Sequence, residues 1–236
     1  MKNKIIMSVL ATFIFGMMGC TASISTGTNT TNTANTAKPA NAPANTAANT
    51  GTASKTEKPK GDKLTAEKKP EGKSNKAKEV SVPADWVYVY NDQRGYGFSV
   101  PAGSTGGAET IDGVDAFMAT TPAPAEVVVY VFAFKDEKLS KEDLLDRAEK
   151  ALAAMGETVQ TGKLTGESED YSVAEATMTN KNGTKSKAKV LVGTDVSDNY
   201  VMIVGTTEDK FAANEKIIDE IWGSFEMWSG GASGDN

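Results

Sequence analysis

The sequence predicts an α+β fold over residues 81–228, an antiparallel sheet with helices packed on its faces. Three observations predict it. Several short segments are rich in β-branched and aromatic residues, and two of them, 127–134 and 199–205, are apolar on both faces, as buried central strands are. Two segments, 140–155 and 206–225, carry apolar residues at helical spacing. The helical segments are separated by a run of strands, an order that favours helices layered on an antiparallel sheet.

The opening "DWVYVYNDQRGYGFSVP" reads as a hairpin. Trp86, Tyr88 and Tyr90 alternate with Val87 and Val89, turn residues Asn91–Gln93 follow, and Tyr96, Phe98 and Val100 share one face of a second strand ended by Pro101. The opposite, small face at Gly95 and Gly97 suits a closely packed helix, or a ligand approaching the backbone. Next, "DAFMATT" precedes "EVVVYVFAF", whose eight unbroken apolar residues Val127–Phe134 mark a strand buried on both faces. Ser140 and Asp143 form a capping-box variant for a helix with the stripe Leu144, Leu145, Ala148, Leu152 and Met155, stopped by Gly156. Strands are expected near 159–168, 171–180 and 184–194, with Asn182-Gly183 signalling a type I′ turn between the last two. After the strand "NYVMIVG", Thr206 and Asp209 are expected to cap a final helix whose inward face is Phe211, Ile218, Ile221, Trp222 and then Phe225.

Residues 1–19 read as a signal peptide. Lys2 and Lys4 precede the apolar run Ile5–Met18, which at ~1.5 Å per residue reaches about 21 Å, too short for a ~30 Å hydrocarbon core. It ends in "MMGC", which resembles a bacterial lipobox. That resemblance implies cleavage between Gly19 and Cys20, a diacylglyceryl thioether on Cys20, acylation of the new amine and a lipid bilayer as partner. Two or three acyl chains hold a protein stably on a membrane, where one holds it marginally. Thr21 rather than Asp after the cysteine implies, by the same resemblance, the outer membrane if the cell is Gram-negative, and otherwise a lipid-anchored place in the cell envelope. Cys20 is the chain's single cysteine, so no disulfide is available despite an export route that permits one.

Residues 20–80 are expected to be a disordered tether, first Thr/Asn/Ala-rich, then Lys/Glu-rich, with Leu64 the one large apolar side chain of the second half. Sixty such residues span ~40–45 Å root-mean-square, enough to hold a domain clear of lipid. Residues 229–236 are expected to be a disordered tail. Charge divides along the same line: twelve lysines against five acids put +7 on residues 1–80, and the remainder carries −13. An acidic body argues against nucleic acid as a partner.

The pattern "YNDQRGYGFSVP" resembles the start of PsbP-like domains, and the resemblance extends over 86–227 in element order. It implies an α/β/α sandwich. The family spans an extrinsic photosystem II subunit, a eukaryotic Ran-binding import factor, mycobacterial surface lipoproteins and secretion-effector chaperones. It is functionally broad and largely non-enzymatic, and none of its ligand residues has a matching motif here.

The chain contains no histidine, which removes Ser-His-Asp and Cys-His catalysis and His-ligated metals. "GSTGGA" (103–108) lacks the spacing and the lysine of a phosphate loop. Carboxylates remain: Glu167, Glu169 and Asp170 in one segment, Asp195 and Asp198 in another, either as an acid pair or a calcium site, or as solvated loops. Ser140-Lys141 and Ser186-Lys187 are formal serine–lysine pairs. The expectation is therefore not an enzyme but a binding or assembly module without catalytic residues, cofactors or metals. Its partner would be an envelope protein or polymer. A carboxylate-dependent hydrolase, a calcium-dependent carbohydrate binder and a passive spacer are the alternatives.

Overall fold

Alternation of apolar side chains along the central strands gives the fold two cores, one on each side of a main sheet. The computed structural model describes residues 61–135, 138–195 and 198–228. The signal segment, Cys20, the first part of the tether and the tail 229–236 lie outside the described residues. The elements are β1 (Asp62–Lys63), β2 (Ser74–Lys76), β3 (Val87–Asn91), β4 (Tyr96–Val100), β5 (Thr105–Ile111), β6 (Val114–Thr120) and β7 (Val128–Lys135). Then come α1 (Lys141–Ala154), β8 (Glu157–Thr161), β9 (Thr165–Gly166), β10 (Tyr171–Asn180), β11 (Lys185–Thr194), β12 (Asp198–Thr207), α2 (Glu208–Gly223) and β13 (Glu226–Trp228).

Among the described residues, nine strands form one antiparallel sheet in the order β1-β5-β6-β7-β12-β11-β10-β8, with β9 beside β10. One face sends Phe132 and Phe134 of β7, Val201 and Ile203 of β12, and Val190 and Val192 of β11 against Leu144, Ala148, Ala151 and Leu152 of α1. The other face sends Val129, Val131, Met202, Val204 and Leu191 against Ile218, Ile221 and Trp222 of α2 and Tyr96, Phe98 and Val100 of β4. The predicted class, helices on both faces of an antiparallel sheet, is the architecture observed.

The opening hairpin departs from the simplest form of that plan. β3 and β4 do not join the main sheet; they belong to a four-strand sheet, β2-β13-β4-β3, packed beside α2. Phe225 ties this second layer in, lying 5.8 Å from the Tyr96 ring, 5.7 Å from Tyr200 and 6.3 Å from Tyr171, with the last two edge-on. The face at Gly95 and Gly97 receives no helix. A Cβ at Gly97 would collide with the Tyr88 phenol, which lies across the bare backbone from the neighbouring strand.

The expected tether boundary at residue 80 is too late. Residues 61–80 are built onto the domain: β1 pairs with β5, Leu64 donates its N–H to the Ser104 carbonyl at 2.9 Å, and β2 pairs with β13. Backbone pairing and salt links hold this stretch, which explains why a composition poor in apolar residues gave no sign of it. The expected strand at 159–168 is two pieces, β8 and β9: the β8 ladder runs on to Gly162, which donates to Glu175 O, and β9 then pairs with β10 one residue out of that register.

The α1 capping box forms as read. Ser140 Oγ accepts from Asp143 N at 3.1 Å, and Met155 then Gly156, at φ +88°, close the helix. The α2 cap is Thr207 rather than Thr206, whose hydroxyl is buried and donates to the Ala125 and Glu126 carbonyls at 3.3 Å. The hairpin at Asn182-Gly183 forms, but only Gly183 has positive φ, whereas a type I′ turn needs two such residues. Asn180 shapes this turn instead, its Oδ1 accepting from Asn182 N and Thr184 N. The type I′ signature lies at Asp112-Gly113, with φ of 50° and 78°, between β5 and β6.

Candidate functional site

α1 is shorter than the sheet it covers. It ends at Ala154, and beyond its C-terminus the same sheet face is left open as a cleft of about 870 Å³. Strand alternation sets its floor: Met118 from β6, Val128 and Tyr130 from β7, Ile203 from β12 and Met178 from β10 all point to the helix side. The rim is polar. Glu109 and the Asp112 turn stand on one side, Glu157, Asn180 and Lys181 on the other, and Thr120, Thr184 and Ser186 between. Two methionines in the floor supply adaptable apolar surface.

The electrostatics of the cleft come from partial burial. Burial raises the Tyr130 phenol to about 12, with the Glu157 carboxylate adding to the rise. Burial likewise raises the Glu157 carboxyl above the ordinary glutamate range. Glu126, by contrast, is paired with Lys210. The cleft thus offers an apolar floor, a neutral phenol and a partly desolvated carboxylate, groups suited to orienting a ligand through hydrogen bonds.

The acidic segments singled out from sequence lie elsewhere. Pairing of Tyr171 with Gly193 brings residues 167–170 to the same end of the sheet as Asp195 and Asp198. Asp170 Oδ2 accepts from Asn75 Nδ2 at 2.5 Å, and its carbonyl accepts from Thr194 N at 3.0 Å. Asp198 lies 3.6 Å from Arg94, which also pairs with Asp115. Glu169 contributes its carbonyl to Lys141, and Glu167 its N–H to Tyr171 O. Among the described residues no three acidic, histidine or cysteine side chains are placed to hold a metal ion.

The serine–lysine pairs are not assembled either. Ser140 Oγ donates to Asp143 Oδ2 at 2.6 Å, and Lys141 Nζ reaches Glu169 O and Ser172 Oγ. Ser186 and Lys187 are consecutive in β11 and so project to opposite faces. Ser186 lines the cleft, while Lys187 faces Glu208 at 3.6 Å. The cleft floor was missed by sequence reading because Met118, Val128, Tyr130, Met178 and Ile203 look like ordinary strand residues, and only the length of α1 against the sheet exposes them. Among the described residues no helix is long and apolar enough to cross a membrane.

No protein-family model and no curated protein matches the sequence. Solved structures do resemble the fold. A cyanobacterial PsbP (CyanoP) from Synechocystis sp. PCC 6803 aligns at 17% identity with a TM-score of 0.49, over 62% of this chain and 95% of its own. A Bacteroides thetaiotaomicron protein aligns at 14% identity with a TM-score of 0.40, over 61% of this chain and 49% of its own. LpqN of Mycobacterium tuberculosis, described as involved in cell envelope biogenesis, aligns at 12% identity with a TM-score of 0.29, over 63% of this chain and 82% of its own.

Proposed function

We propose that the chain is a lipid-anchored protein of the bacterial cell envelope, held by acylated Cys20, whose domain is a non-catalytic binding module. Its ligand site is the cleft beyond α1. The observation that carries the reading is that cleft, an apolar floor of Met118, Tyr130, Met178 and Ile203 under a polar rim. The absence of histidine from the sequence and the use of Ser140, Lys141 and Asp170 in structural hydrogen bonds support binding rather than catalysis. The signal segment and "MMGC" support the anchor.

Two experiments test it. Cys20→Ser should move the protein from the membrane to the soluble fraction, and inhibition of lipoprotein signal peptidase should accumulate a larger precursor. A soluble mature form beginning at another residue overturns the anchor. For the module, Ser186→Trp, which fills the cleft, should abolish the biological role. The doubles Glu169→Gln/Asp170→Asn and Asp195→Asn/Asp198→Asn should preserve it. Loss of function in a folded, membrane-bound acidic double would put the hydrolase or calcium-binding reading first.

A further inference from the structure

A second recess lies on the outer face of the small sheet, away from the cleft. Glu226 and Trp228 of β13 and Tyr88 of β3 point to this face. Glu226 is a carboxylate only 2% exposed, yet it sits under a segment with little apolar surface of its own. Lys69 covers it. Its ammonium lies 2.7 and 2.8 Å from the two Glu226 oxygens, 5.5 Å from the Tyr88 ring centre and 5.4 Å from that of Trp228. Trp228 Nε1 donates to the Tyr88 hydroxyl at 3.0 Å, which fixes the two rings as walls. Two aromatic faces and a carboxylate around one ammonium make a chemically selective cation site.

The segment that delivers Lys69 is held as an extended peptide. Glu67 N donates to Tyr88 O at 3.0 Å, Tyr90 N to Glu67 Oε2 at 3.1 Å, and Ser74–Lys76 form a ladder with β13. Ser74 Oγ adds a 2.6 Å bond to Glu226. Between residues 61 and 79, Ala77 alone is buried, so little apolar burial opposes local opening. Opening would take Lys69 and Ser74 away from the Glu226 carboxylate, leaving the Tyr88 hydroxyl beside a buried charge with no cation, and would leave β13 with an open edge; both favour a replacement of the same chemistry. We propose that the Tyr88–Trp228–Glu226 recess is an ammonium-binding site that Lys69 fills in cis, and that an extended lysine-bearing peptide takes it by strand addition when residues 61–79 lift off.

The probe is a fluorescent synthetic peptide copying residues 64–79, with a second in which the residue matching Lys69 is methionine. The host is the full chain carrying Cys20→Ser, with and without Lys69→Ala. Cis competition acts at millimolar effective concentration, so the Lys69→Ala chain should bind the lysine peptide at least tenfold more tightly than the chain retaining Lys69. The methionine peptide should bind at least tenfold more weakly, and the Trp228 indole N–H resonance should shift on binding. A Lys63→Cys/Thr105→Cys disulfide, closing the paired β1–β5 register, should suppress binding until reduced. Equal binding of the two peptides overturns the proposal, as does equal binding by methylammonium alone or no binding by a cooperatively folded Lys69→Ala chain. If Lys69→Ala does not fold, the same lysine-against-methionine comparison on the chain retaining Lys69, at millimolar peptide, decides it.

Discussion

Replacing Trp222 by alanine removes the indole that closes the α2 side of the larger core. The residue is 6% exposed, its Nε1 donates to Asp219 Oδ1 at 3.0 Å, and Lys78 Nζ lies 5.4 Å from its ring. Truncating a buried aromatic costs ~3–5 kcal/mol through lost transfer energy and the cavity left behind. The Lys78 contact adds about 0.5–1 kcal/mol at an exposed site. Loss of the indole donor adds little, because Asp219 keeps its ion pair with Lys189. The expected total is ~4 kcal/mol. For a domain of this size each kcal/mol moves Tm by about 2–4 °C, so the midpoint should fall by about 8–16 °C. Urea unfolding of the Cys20→Ser chain, with and without Trp222→Ala, measures this directly, and an unchanged m-value would show a loss of stability rather than of compactness. A change below ~1 kcal/mol refutes the reasoning and makes Trp222 a surface residue that contributes nothing to the core.

Three further perturbations test local claims. Ser140→Ala removes the acceptor for Asp143 N and should cost ~0.5–2 kcal/mol by thermal unfolding. Because Ser140 holds the Asp143 carboxyl below its usual range, stability from that contact is present above the unfolded pKa and lost as pH falls through the folded one, so Ser140→Ala should also flatten the acid limb. Glu157 has the opposite sign. Burial raises its folded pKa, so stability falls as pH rises from the unfolded value through the folded one. Glu157→Gln should therefore gain on the parent at pH 7 relative to pH 4, and parallel profiles would refute the cleft electrostatics. Gly97→Ala should destabilise by ~1–3 kcal/mol, because the new methyl must displace a Tyr88 phenol held by the Trp228 indole, and a neutral result would contradict that close approach.

The sequence made the layering legible where periodicity carried it. Val127–Phe134 packs on both faces because both cores use it, with Val128 and Tyr130 half-buried where the cleft opens, and the stripe from Leu144 to Leu152 is the buried face of α1. The capping box was legible because Ser140 and Asp143 satisfy each other locally. The docking of residues 61–80 was not, since Lys69 and Asn75 act through partners at Glu226 and Asp170, more than ninety positions away. The cleft was hidden for a related reason. Met118, Tyr130 and Met178 read as core, and they line an opening only because α1 stops short. The Asp112-Gly113 turn on its rim did carry a local signal, the Asp-Gly dipeptide favoured in type I′ hairpins.

The central claim is that the domain acts by holding a ligand in the cleft beyond α1. A photo-crosslinking residue at Met178, in the floor, compared with one at Lys216 on the exposed side of α2, tests it in the native envelope. The account predicts a discrete adduct from Met178, lost on adding Ser186→Trp and retained with Glu169→Gln/Asp170→Asn. An adduct from Lys216 alone, or one from Met178 that persists when the cleft is filled, would contradict it.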